Sequence, residues 1–210
     1  MTDEMAGMGA PSVKSNDGLA TAKATVDLDV ICRNVEVLRE RAGSAAVMAI
    51  VKADAYGHGL LPSALAALRG GASWLGVAQL GEAMTLRESG IQAPLLSWLH
   101  VPGADFAGAI CADIDLSVSA PWSLGEVAEA ARGLGRTARI HLKVDTGLGR
   151  NGAFGDDWQV LLSAARSLEA EGLVRIVGVM SHFAYADEPS HPTVRRQLEV
   201  FSEAVRAAER

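Results

Sequence analysis

The chain has 210 residues, with 19 Lys and Arg against 25 Asp and Glu for a formal charge of −6; 49% of it is hydrophobic, 21% charged and 5% aromatic. At about 100–200 residues per domain this is enough for one large domain or two small ones, and the balance excludes a chain disordered throughout and leaves no basic footprint for nucleic acid. Cys32 and Cys111 stand far apart with no CxxC pair, so neither a disulfide framework nor a cysteine zinc site is expected, and a reduced, cytoplasmic setting fits best.

The first 23 residues carry early acidic side chains and no apolar h-region, so they read as a disordered tail and not as a secretory signal. The longest stretch free of Asp, Glu, Lys and Arg, 89–104, is broken by Pro94, His100 and Pro102 and is too short to span a bilayer, so no membrane partner is expected. After the tail, ATVDLDV alternates apolar and polar and predicts a short strand near 25–28. Asp29 is then the expected cap of a helix with Val30, Ile31, Val35 and Leu38 at helical spacing, closed by Gly43.

From there a rhythm of apolar run, turn and helix-period segment repeats six times. Strands are predicted over 46–52, 74–78, 95–99, 115–119, 138–144 and 174–180, and helices over 60–68, 81–88, 103–109, 123–134, 157–169 and 193–209. Strand, helix and parallel strand at a repeat of about 20–40 residues is the signature of α/β, because a parallel connection needs a crossover that covers the sheet face. Two architectures satisfy it, an open doubly wound sheet and a (β/α)8 TIM-type barrel. Polar residues collect at the strand ends: Lys52, His100, Lys143 with Asp145, and Ser181 with His182. In a barrel these ends ring one pocket, and the barrel is the expected fold for residues 24–210. Closure takes eight strands and the chain supplies about six units.

Lys52 ends the run Val47-Met48-Ala49-Ile50-Val51 and precedes Ala53-Asp54-Ala55-Tyr56-Gly57-His58-Gly59. An amine at the mouth of an apolar strand is partly desolvated and becomes a nucleophile for an aldehyde, the chemistry pyridoxal phosphate requires; by position alone a surface lysine is the commoner reading. Arg150 offers the planar fork of donors that a carboxylate needs, and Gly147 and Gly149 beside it allow close backbone approach. Gly147-x-Gly149-x-x-Gly152 also satisfies a dinucleotide fingerprint, but the next strand runs into Met180-Ser181-His182 and not an acidic residue, so nicotinamide binding is not expected. His58, His100, His141 and His191 form no metal-ligand spacing.

VKADAYGHG at 51–59 resembles the pyridoxal-phosphate lysine motif of the alanine racemase family, the N-terminal portion of fold type III. HLKVDTGLGRNG at 141–152 is similar to that family's K-x-D-T-G-x-G-R-x-G segment, and GVMSHFA at 178–184 to its G-x-x-[ST]-H-F-A, in the same order along residues 24–210. The resemblance implies an isomerase with pyridoxal 5′-phosphate as cofactor, held covalently by Lys52, which also serves as one of two racemising bases. It further implies Tyr56 on the cofactor phosphate, Arg150 on the cofactor's phenolic oxygen and the substrate carboxylate, and His182 beside the pyridine ring; Lys143 matches a lysine often carbamylated in the family to orient that arginine, and reads equally as a strand-end lysine paired with Asp145. Lys52 and Arg150 are thus the candidate catalytic residues, and Lys52, Tyr56, His182 and Arg150 the candidate cofactor contacts. No metal is expected.

By the same resemblance the second base is a tyrosine of the other subunit, carried with a β domain in a C-terminal half beyond Arg210. The whole enzyme is then a cytoplasmic homodimer interconverting L- and D-alanine for peptidoglycan, and these 210 residues alone are expected to racemise little or not at all. Two other readings stay open: a non-catalytic pyridoxal-phosphate-binding barrel, and a related racemase acting on serine or several amino acids.

Overall fold

The computed structural model describes residues 22–210; the tail expected over 1–23 lies outside the described residues up to residue 21. Six strands, β1 (Met48–Ile50), β2 (Trp74–Val77), β3 (Leu95–Ser97), β4 (Asp115–Val118), β5 (Ala138–Lys143) and β6 (Val174–Met180), form one sheet. All five pairings are parallel, and the order across the sheet is the order along the chain. A doubly wound sheet reverses its strand order at a switch point. This one never does, so it is the wall of a (β/α) barrel with six units, open between β1 and β6.

Helices alternate with the strands: α1 (Leu28–Ala42), α2 (Lys52–Gly57), α3 (Leu60–Arg69), α4 (Leu80–Glu88), α5 (Phe106–Cys111), α6 (Pro121–Leu134), α7 (Asp156–Ala170) and α8 (Pro192–Glu209). The central strands are buried on both faces but largely apolar on only one: Leu75, Val77, Leu95, Leu116, Val118, Ile140 and Leu142 are fully buried on one side, while Asp115, Ser117, His141 and Lys143 are buried on the other. Both outer strands are less covered, with β6 half-buried along most of its length and Ile50 of β1 exposed.

Three expectations are corrected. No strand forms at 25–28: Leu28 already begins α1, and the cap is Asp27 and not Asp29, its Oδ1 accepting from the Asp29 and Val30 N–H groups at 3.0 and 3.1 Å. Those donors have no partner within the first helical turn, so a carboxylate there decides the boundary. The helix expected over 103–109 starts later, at Phe106, because Asp105 caps it through the Gly108 N–H at 2.8 Å. The first strand stops at Ile50, and Lys52 opens α2 instead of ending β1.

α2 is a left-handed turn. Ala53, Asp54, Ala55 and Tyr56 all have φ between 50 and 55°, a conformation that costs an L-residue other than glycine about 1–2 kcal/mol each. The turn is closed from within by the Ala55 N–H donating to Val51 O at 2.9 Å, and from beyond by the Leu60 N–H donating to Asp54 Oδ1 at 2.6 Å.

Candidate active site

Lys52 follows directly on the sheet: the Val51 N–H donates to Gly76 O at 2.9 Å, extending the β1–β2 ladder by one step before the chain turns. The left-handed turn brings Lys52 back over its own fifth residue, with Nζ 5.7 Å from the centroid of the Tyr56 ring. Lys52 is half-buried, while Tyr56 is exposed.

Lys143 is the last residue of β5 and is buried. The chain beyond it makes an excursion pinned at its base, where the Ala153 N–H donates to Lys143 O and the Asp145 N–H to Ala153 O, each at 2.9 Å. Asp145 is buried and shapes the excursion by accepting from the Gly147 N–H at 2.8 Å and from the Gly149 N–H at 3.0 Å. Gly147 and Gly149 sit at φ 120 and 73°. These glycines therefore build the loop that presents Arg150, which gives the Gly147-x-Gly149-x-x-Gly152 spacing a reason in the turn itself.

His182 follows β6 in an exposed loop. Its pKa lies below the usual histidine value, first through loss of solvation and then through the positive charges of Arg150, Lys143 and Lys52. Lys143 is likewise lowered, by burial and then by Arg150, with Asp145 opposing. Four basic groups, Lys143 at the end of β5 and Lys52, Arg150 and His182 beyond the ends of β1, β5 and β6, thus lie at one end of the sheet, and every charge acting on His182 is positive. Two uncharged ties fix their loops together: Thr146 Oγ1 and Ser181 Oγ share a hydrogen bond at 2.8 Å, and buried Gln197 of α8 accepts from the Ala184 N–H at 2.9 Å.

The set fits an anionic aldehyde cofactor in its chemistry. An amine follows the end of a strand with a phenol beside it, a guanidinium fork stands on a neighbouring loop, and positive charge that Asp145 only partly offsets favours phosphate and carboxylate. The remaining strand-end residue, His100, does not join them. It is held at about 4 by burial, packs edge-on against Phe106 with ring centroids 5.4 Å apart, and leaves both ring nitrogens enclosed without a partner. His141 is also apart, buried inside the sheet with Nε2 3.0 Å from Asp115. A concavity of about 730 Å³ between α7 and α8 is lined by none of the four basic residues. Among the described residues no group of three or more His, Cys, Asp or Glu is placed to hold a metal, and no helix is long and apolar enough to cross a membrane.

Sequence-ordered parallel strands with a basic cluster at their carboxyl ends define a protein of the (β/α)-barrel class. The family model for the alanine racemase N-terminal domain matches residues 26–210. An alanine racemase from Frankia casuarinae is 55% identical over 205 residues, covering 98% of this chain and 52% of the relative. The crystal structure of the Streptomyces lavendulae alanine racemase aligns with a TM-score of 0.85 at 53% identity, over 88% of this chain and 48% of that one. The Bacillus anthracis alanine racemase with bound L-Ala-P aligns at 0.76 and 36%, over 86% and 46%. This chain belongs to the alanine racemase family, and it spans about half the length of the relatives it matches.

Proposed function

We propose that residues 24–210 form the cofactor-bearing barrel domain of a pyridoxal-phosphate-dependent racemase interconverting L- and D-alanine. The observation that carries this reading is the convergence of Lys52, Lys143, Arg150 and His182 on one end of the barrel wall. When bound, pyridoxal phosphate supplies an electron sink for the carbon next to the substrate carboxylate. Lys52 provides the amine that holds the cofactor and moves a proton at the alanine Cα on one face. Arg150 binds the substrate carboxylate with its two-pronged fork and the cofactor's phenolic oxygen. Lys143, buried beneath it, orients the guanidinium, which a carbamate on its amine strengthens by turning a repulsive neighbour into an attractive one. Tyr56 would hold the cofactor phosphate, and His182 would contact the pyridine ring.

Racemisation needs a proton donor and acceptor on each face of the substrate. The only tyrosines in the 210 residues are Tyr56 and Tyr185, and Tyr185 is stacked on His191 with ring centroids 3.9 Å apart. On the resemblance, which assigns the second base to a tyrosine of the other subunit, Lys52 is read as the one base these residues supply. On the same reading the working enzyme is a cytoplasmic homodimer providing D-alanine for peptidoglycan, as the family resemblance implies.

The test is to incubate the folded chain with pyridoxal phosphate, reduce with borohydride and map the modified peptide. Label on Lys52 is expected, with D-alanine formation at background. Label elsewhere, or none, overturns the cofactor assignment, and turnover comparable to ordinary racemases overturns the single-base argument.

A further inference from the structure

We infer that Glu82 is a positioning residue for Lys52. Its carboxylate joins two segments 29 residues apart: Oε1 accepts from the Ala53 N–H, the first amide after Lys52, while Oε2 accepts from the Ala78 and Gln79 N–H groups at 3.1 and 3.0 Å. Ala78 and Gln79 continue the chain from β2, the strand paired with β1. One side chain thus bolts the turn that carries Lys52 and Tyr56 to the end of the neighbouring strand.

The bond to Gln79 is ordinary capping of α4, in which a side chain at the third helical position reaches back to the cap residue. The bond to Ala53 is not required by any helix. It acts on the first of four consecutive residues in the left-handed region, a run that persists only where the surroundings over-determine it. The charge-assisted acceptor is the contact by which the main body of the barrel fixes this turn from outside. Without it the turn relaxes, and Lys52 Nζ leaves the position 5.7 Å from the Tyr56 ring. The consequence for cofactor capture rests on the function proposed above, whereas the geometric part does not.

Glu82→Gln separates the two roles. The glutamine carbonyl still caps α4, yet it offers one acceptor oxygen where three amides need two. In the full chain, amide exchange by NMR and the rate of pyridoxal-phosphate labelling at Lys52, trapped by borohydride, are read side by side with the melting temperature. Expected for Glu82→Gln is a melting point within a few degrees of the parent, Ala53 amide exchange at least about tenfold faster, and labelling of Lys52 slowed about tenfold. Parental exchange and labelling in a folded variant overturn the inference. If the parent itself fails to label Lys52, the cofactor reading falls, while the change in Ala53 exchange still decides the role of Glu82. If the variant does not fold, the parent decides: an Ala53 amide that exchanges as freely as an open loop overturns the inference, and a protected one supports it.

Discussion

A Cβ on Gly152 would lie 2.5 Å from the Asp145 nitrogen and 2.7 Å from the Val144 carbonyl carbon, at a φ of 133°. Both the close approach and the backbone angle demand glycine, so Gly152→Ala is expected to cost about 2–4 kcal/mol in urea unfolding and to loosen the loop presenting Arg150. A second prediction concerns His100, whose enclosed ring is held at about 4 against an ordinary 6.5. Between these values the unfolded chain binds a proton that the native state does not. Stability is therefore complete above pH 6.5 and falls as the pH drops toward 4, by on the order of 3 kcal/mol. In denaturation curves at stepped pH, His100→Leu should flatten that decline. Lys52, Tyr56, Lys143, Arg150 and His182 were legible only because three contiguous segments resemble alanine racemase motifs; by position alone Lys52 and Arg150 read as solvated surface residues and Tyr56 carries no signal. Glu82 and Gln197 were not: three residues after Gln79, Glu82 reads as a helix cap, and its bond to Ala53 crosses 29 residues. Gln197 reaches Thr146 across 51, a distance no local pattern encodes.

At the level of elements, the six strands and their helices follow from apolar runs alternating with helical periodicity, and the structure departs from them mainly at boundaries. The ends moved where a carboxylate caught free N–H groups, at Asp27 and Asp105. α2 could not be anticipated, since Ala53-Asp54-Ala55-Tyr56 contains no glycine and alanine is the strongest right-handed helix former. Its handedness comes from outside the segment, through Glu82 and the Asp54 bond to Leu60. Ala53→Gly tests this. In an ordinary helix the change costs about 1 kcal/mol; here, at an exposed residue with φ 54°, relief of strain should make it neutral or stabilising by up to about 1 kcal/mol. Equilibrium unfolding of the two proteins reads the sign directly, and a loss of about 1 kcal/mol would show the turn to be right-handed in solution.

For the whole molecule, the barrel reading held because polar residues gathered at strand ends, and the sheet order confirms it. Six units leave two strand edges without partners, and the apolar side chains beside them are open: Ile50 is 51% exposed, Leu38 57% and Leu198 52%. Unpaired backbone next to such a surface promotes association. Light scattering on the 210-residue chain should give a mass above 21.9 kDa that grows with concentration, and a constant monomer mass would contradict this. Finally, Gln197 ties α8 to the Thr146 and Ala184 regions at once, while Thr146 also bonds Ser181 directly, so the guanidinium loop and the imidazole loop are braced twice. Fraying of the last helix then removes one brace and leaves the two halves of the basic cluster hinged on a lone pair of hydroxyls, and the binding end of the barrel loosens before the sheet beneath it does.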